Sequence, residues 1–175
     1  LPLARTLAES GYHVNLSSRS ADKFPVIESV SAQPFIVDID QLILPSDFFN
    51  ADILICNITS KNLSGFQSLI DVLANSTIQS VLFVSSSSVY RNTQTAVTED
   101  QGAENRDSLL FQIEQAFRAC ADFSTTVLRL SGLIGYQRHP GRFFKNGKVV
   151  QQADAPVNLI HRDDCIGTIS AIIKQ

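Results

Sequence analysis

The sequence predicts an α/β fold, a doubly wound and mainly parallel sheet with helices on both faces. Short apolar runs alternate with longer stretches of helical periodicity, which is the order such a sheet requires. One run, Val81-Leu82-Phe83-Val84, is apolar at consecutive positions and passes directly into Ser85-Ser86-Ser87-Ser88. A strand buried on both faces reads this way, and the hydroxyls mark where it leaves the core. The carboxyl edge of such a sheet is where ligands bind, because loops diverge there and helix N-termini present unpaired N–H groups. The serines are therefore candidate site residues. The plainer alternative is a buried strand followed by a serine-rich turn.

With 175 residues, 44% hydrophobic and 18% charged, the chain reads as one domain, residues 1–175, with room for a real core. A formal charge of −3 gives no electrostatic reason to expect nucleic acid or an anionic membrane as partner. No apolar run reaches the length of a membrane span or a signal peptide. Cys56, Cys120 and Cys165 are far apart and each lies in an apolar periodic stretch. They read as reduced core cysteines of a cytoplasmic protein, with no metal site.

The elements follow in order. Leu3, Ala4 and Leu7 share one helical face, and Gly11 sits where a helix end favours a left-handed residue. A strand is expected over Tyr12–Leu16, and Ser17-Ser18-Arg19-Ser20 follows it. In a dinucleotide fold this strand end lies beside the adenosine ribose, where an arginine accommodates a 2′-phosphate. Arg19 points to NADP on that reading, since a guanidinium fork matches phosphate oxygens. The alternative is a solvated loop arginine. Gln33–Asp38 and Asp52–Cys56 are the next expected strands, and Asn57-Ile58-Thr59 follows the second at the same edge. Leu63, Phe66, Leu69, Ile70 and Leu73 form the core face of a helix, as do Leu109, Leu110, Ile113, Ala116, Phe117 and Cys120. Thr126–Leu130 is a further strand.

Several of these segments together resemble the extended short-chain dehydrogenase/reductase family, the group that holds the sugar-nucleotide epimerases and dehydratases. Val84-Ser85-Ser86-Ser87-Ser88-Val89-Tyr90 is similar to that family's fifth strand and following loop. The first fourteen residues are similar to the helix and strand after its Gly-rich turn. Ser131-Gly132-Leu133-Ile134-Gly135 resembles the loop whose backbone passes the nicotinamide. Arg138 keeps the arginine that follows it, and Val157–Asp164 resembles a strand, Ile-His and acid before a helix. The resemblance implies a Rossmann-type domain binding NADP or NAD. Ser18, Arg19, Asp38, Asn57, Ile58, Thr59, Val84, Ser85, Ser131 and Gly132 would lie at the cofactor. Ser86 would be the catalytic serine, with Tyr90 as a second candidate that more often shapes the pocket. Arg138 and His161 would contact substrate, although a histidine on an apolar strand is more often structural. The implied partners are a small-molecule substrate such as a nucleotide sugar, and a second copy of the chain in a homodimer.

One departure stands out. The family places a tyrosine and, four residues later, a lysine on the helix after the serine run, and the pair carries the proton chemistry. Aligning Glu114-Gln115 on the family's acid puts Arg106 and Leu110 at those positions. An arginine does not release its proton near neutrality, and a leucine has none to give. Two functions remain. One is an NAD(P)-binding protein of the epimerase/dehydratase type, acting on a nucleotide sugar or similar small hydroxy or keto compound without that pair. The other is a non-catalytic dinucleotide-binding redox-sensing or regulatory protein. The absence of methionine, and a start already within a helix, lead us to expect that the chain is not a complete gene product. A first strand with its Gly-rich turn, and the remainder of a substrate lobe, would lie outside it.

Overall fold

The computed structural model describes residues 1–93, 95–144 and 156–175. The chain forms two compact units, Leu1–Arg129 and Leu130–Gln175.

The first unit opens with α1 (Pro2–Glu9), which has proline in its first turn and buries Ala4 and Leu7. Its end follows from Gly11, at φ +90°. The Gly11 N–H reaches the Ala8 carbonyl at 3.0 Å and the Tyr12 N–H reaches that of Leu7 at 3.1 Å, so the chain reverses through a Schellman turn. That turn uses Tyr12, and so β1 is Asn15–Ser18 and not Tyr12–Leu16 as expected. Register is set by parallel pairing with β2 (Gln33–Ile36), where Asn15 lies opposite Gln33 and Ser18 opposite Ile36. The ladder tolerates serines that an apolarity rule excludes. α2 (Phe24–Glu28) lies between these strands in sequence. Ala4, Ile27, Val30 and Ala32 form the small core beneath them.

The larger core belongs to the sheet β3-β4-β5. β3 (Ile53–Cys56) runs parallel to β4 (Ser80–Ser86), with Ile53 opposite Ser80 and Cys56 opposite Phe83. β5 (Ser124–Leu130) flanks β4 on its other side, so the expected central strand is central in this sheet. Val81, Leu82 and Phe83 are all buried, which is why their run in the sequence does not alternate. α3 (Leu63–Ala74) and α4 (Leu109–Ala119) bring Phe66 and Phe117 onto Phe83, with ring centroids 6.0 and 4.9 Å away. Gly65 is needed where α3 begins, because a Cβ there would lie 2.6 Å from the Ile39 carbonyl oxygen.

α4 differs from its expected stripe. Ser108 caps it by accepting the Phe111 N–H at 3.2 Å, and Ile113, Glu114 and Phe117 form the buried face. Leu110 is half-buried against the core, while Leu109 in the first turn is exposed.

In the second unit β6 (Gly132–Ile134) pairs in parallel with β7 (Leu159–His161), and α5 (Arg162–Ile172) follows directly. Cys165 and Ile169 are its buried residues. No helix among the described residues is long and apolar enough to cross a membrane.

Candidate functional site

Parallel pairing makes strand ends coincide, so polar residues that follow β1, β2, β3 and β4 collect at carboxyl edges. After β1, the Ser18 hydroxyl donates to the Ser20 carbonyl at 2.8 Å and accepts the Ser20 N–H at 3.1 Å. This tight turn leaves Arg19 exposed between two serines held by their neighbours. After β2, Asp38 is buried and its carboxylate accepts the N–H groups of Asp40 at 2.9 Å and Gln41 at 3.3 Å. The strand ends at Ile36, two residues short of the expected Asp38, because this side chain draws the backbone into an Asx turn. The Ser60 hydroxyl donates to Asp40 at 2.8 Å and ties that turn to the segment after β3. There Asn57, Ile58 and Thr59 are all exposed.

At the end of β4 the serines divide. Ser85 is buried and its hydroxyl donates to Glu114, so its backbone is what remains for a ligand. Val84 beside it is half-buried. Ser86 accepts the Ser88 N–H at 3.1 Å and keeps its own hydroxyl hydrogen for another acceptor.

Tyr90 belongs to a cluster that sequence reading did not anticipate. Arg129, on β5, grips the fully buried Glu114 with two parallel bonds of 3.1 and 2.7 Å. Its remaining arm donates to Glu104 at 2.7 Å and to the Tyr90 hydroxyl at 2.8 Å. The guanidinium carbon also lies 4.8 Å from the Tyr90 ring centroid. Tyr90 and Glu104 face each other in an antiparallel bridge, so Arg129 clasps the neck of the loop that leaves the serine run. These bonds, that to Glu114 foremost, push the guanidinium's pKa further up. The hydrogen bond from Arg129 holds the Glu104 carboxyl below the usual carboxylate range. A sequence signal for the cluster exists: one arginine inside the apolar strand Thr126–Leu130 requires a buried partner.

Arg106 is exposed ahead of the α4 cap and Leu110 packs on the core, so neither position offers an acid or base. Burial pushes the Cys56 thiol up to about 12, which makes it an inert core group. A shallow depression of about 420 Å³ lined by Arg5, Ala8, Glu9, Ser29, Val30 and Ser31 lies at the amino ends of β1 and β2, away from these residues.

In the second unit the Ser131 hydroxyl bonds the Asn158 side chain at 2.7 Å, and Gly132 lies close against Leu159. His161 caps α5 by accepting the Asp163 N–H on its Nδ1 at 3.3 Å. Arg138 is exposed, in a turn whose Tyr136 hydroxyl donates to Asp163 at 2.7 Å. Sequence analysis singled out neither Tyr136 nor Arg162, which stacks on its ring.

No protein-family model matches the chain. It is 29% identical over 190 residues to protein YeeZ of Escherichia coli K12, covering 99% of this chain and 69% of that protein. Among solved structures it is similar to an NAD-dependent epimerase/dehydratase candidate from Methylobacillus flagellatus, with TM-score 0.69 and 25% identity, covering 99% of this chain and 65% of that one. It is also similar in fold to UDP-glucuronic acid 4-epimerase from Bacillus cereus, solved with a fluorinated UDP-glucuronic acid and NAD, at TM-score 0.71 and 20% identity over 98% of this chain and 69% of that one. The chain thus spans about two thirds of the length of the proteins it matches. Its α/β fold is Rossmann-type, and its structural neighbours are NAD-dependent epimerase/dehydratase family members.

Proposed function

We propose that the chain is a nicotinamide-dinucleotide-binding part of an extended short-chain dehydrogenase/reductase of the epimerase/dehydratase type, with a nucleotide sugar or similar small hydroxy or keto compound as substrate. The observation that carries the reading is the content of the strand ends. β3 and β4 run in parallel; the exposed Asn57, Ile58 and Thr59 follow the first, and the second ends in Ser86, whose hydroxyl finds no acceptor among the described residues. The chain's residues fit a dinucleotide. Arg19 stands exposed after β1, where a 2′-phosphate would lie, which favours NADP over NAD. Ser18, Asp38 and the backbone of Val84 and Ser85 would complete the first unit's cofactor contacts, and Ser131 and Gly132 are the cofactor contacts proposed in the second. When bound, the nicotinamide supplies the hydride acceptor or donor. Ser86 would donate a hydrogen bond to a substrate oxygen. Tyr90, its oxygen already held by Arg129, would shape the pocket. Arg138 and His161 are the proposed substrate contacts of the second unit.

A second reading, a dinucleotide-binding sensor or regulator without turnover, rests on the exposed Arg106 and core-packed Leu110 where an acid–base pair would stand. Titration of the full-length protein with NADP+ and NAD+, followed by nicotinamide absorbance across a panel of sugar nucleotides, separates the two. Binding with turnover supports the first, binding without turnover supports the second, and no binding removes both.

A further inference from the structure

The second unit carries a feature that the cofactor reading does not use. Gly135 and Arg138 exchange both backbone hydrogen bonds, at 3.3 and 2.8 Å, and so close a two-residue turn over Tyr136 and Gln137. Tyr136 holds φ +45° there, a left-handed conformation that a bulky side chain disfavours and that glycine or asparagine adopts readily. Backbone strain of this kind persists where surrounding contacts over-determine it, and it concentrates at ligand sites. The contacts are present. The Tyr136 hydroxyl donates to Asp163 at 2.7 Å, and the Arg162 guanidinium lies 3.9 Å from the ring centroid. Gly135 lets the turn approach His161, since a Cβ there would lie 2.7 Å from the imidazole. Tyr136 is nonetheless 65% exposed. A hydrophobic anchor would be covered, whereas this ring is fixed in orientation and presented to solvent.

We propose that Tyr136 is a stacking platform for the base of a nucleotide ligand, with Arg138 across the turn available to its phosphates. This rests on the nucleotide-sugar reading above and assigns the nucleotide half of that substrate to this turn. A flat ring backed by a cation and pinned at its hydroxyl loses little freedom when a base stacks on it. Arg138, two residues on and exposed, supplies charge for phosphate oxygens.

The test uses Tyr136→Gly and Tyr136→Asn in the full-length protein, because both residues accept the backbone conformation without strain. Uridine diphosphate and NADP+ are titrated by calorimetry, and thermal midpoints are recorded. Both variants should bind uridine diphosphate about tenfold or more weakly, as loss of one base–aromatic stack implies. NADP+ affinity should be unchanged and the midpoint equal to the wild type or higher. Unchanged uridine diphosphate affinity, a wild type that does not bind it, or a lowered midpoint with both ligands weakened together would overturn the proposal. A wild type that binds neither NADP+ nor NAD+ fails the cofactor reading instead, which keeps the two failures apart.

Discussion

Replacing Arg129 by methionine should be among the most damaging changes available in the first unit. The substitution keeps much of the side-chain volume and removes the fork. Glu114, with none of its side chain exposed, loses bonds of 3.1 and 2.7 Å and retains the Ser85 hydroxyl. An uncompensated buried carboxylate of this kind destabilises by about 3–5 kcal/mol. The Glu104 and Tyr90 bonds lie nearer solvent, and each adds about 0.5–1.5 kcal/mol or less. The assay is urea unfolding, with midpoints compared at constant m. Adding Glu114→Gln to Arg129→Met removes the stranded charge and should recover about 1–3 kcal/mol, the scale of coupling between contacting groups. The sign with pH follows from Glu104, whose folded pKa is depressed. Its contribution is complete above the ordinary glutamate value of about 4.3 and is lost as pH falls through the lower folded value. The deficit of Arg129→Met should therefore narrow in that acid range. A single-variant loss under about 1 kcal/mol, with effects that simply add in the double variant, would refute the buried-clasp argument.

Arg19→Ala should weaken NADPH binding by about 1.5–3 kcal/mol and leave NADH nearly unchanged, since only the 2′-phosphate loses a charged hydrogen bond; equal losses in fluorescence titrations would make Arg19 a surface residue. Phe117→Ala, which removes a fully buried ring stacked on Phe83 and set edge-on to Phe66, should cost about 3–5 kcal/mol in chemical denaturation. Half-buried Leu110→Ala should cost about 1–2 kcal/mol, below the range for a fully buried leucine. An inverted order would contradict the observed helix phase.

What could be read from the residues was the periodic part. The run from Val81 to Phe83 is buried without alternation, as its apolarity required, and α3 buries Phe66, Leu69, Ile70 and Leu73 on its expected face. Boundaries set by hydrogen bonding were not legible. β1 begins at Asn15 because the α1 cap holds Tyr12, and β2 stops at Ile36 because Asp38 bonds the backbone ahead of it. At the site, residue type indicated which groups stand at strand ends, but not which hydroxyls are engaged. Ser85 and Ser86 look alike in the sequence, yet only the first faces a buried carboxylate. The Arg129 clasp joins residues 15 to 39 positions apart, and single-strand patterning carries no such pairing.

Amide hydrogen exchange of the full-length protein with and without saturating NADP+ reads out whether the strand ends of the first unit hold a dinucleotide. Slowed exchange is expected at residues 18–22, 57–60 and 84–90, which are the carboxyl ends of β1 and β4 and the backbone just after β1, β3 and β4. No change on adding NADP+ or NAD+, or protection confined to the depression around Arg5 and Ser31, would contradict it.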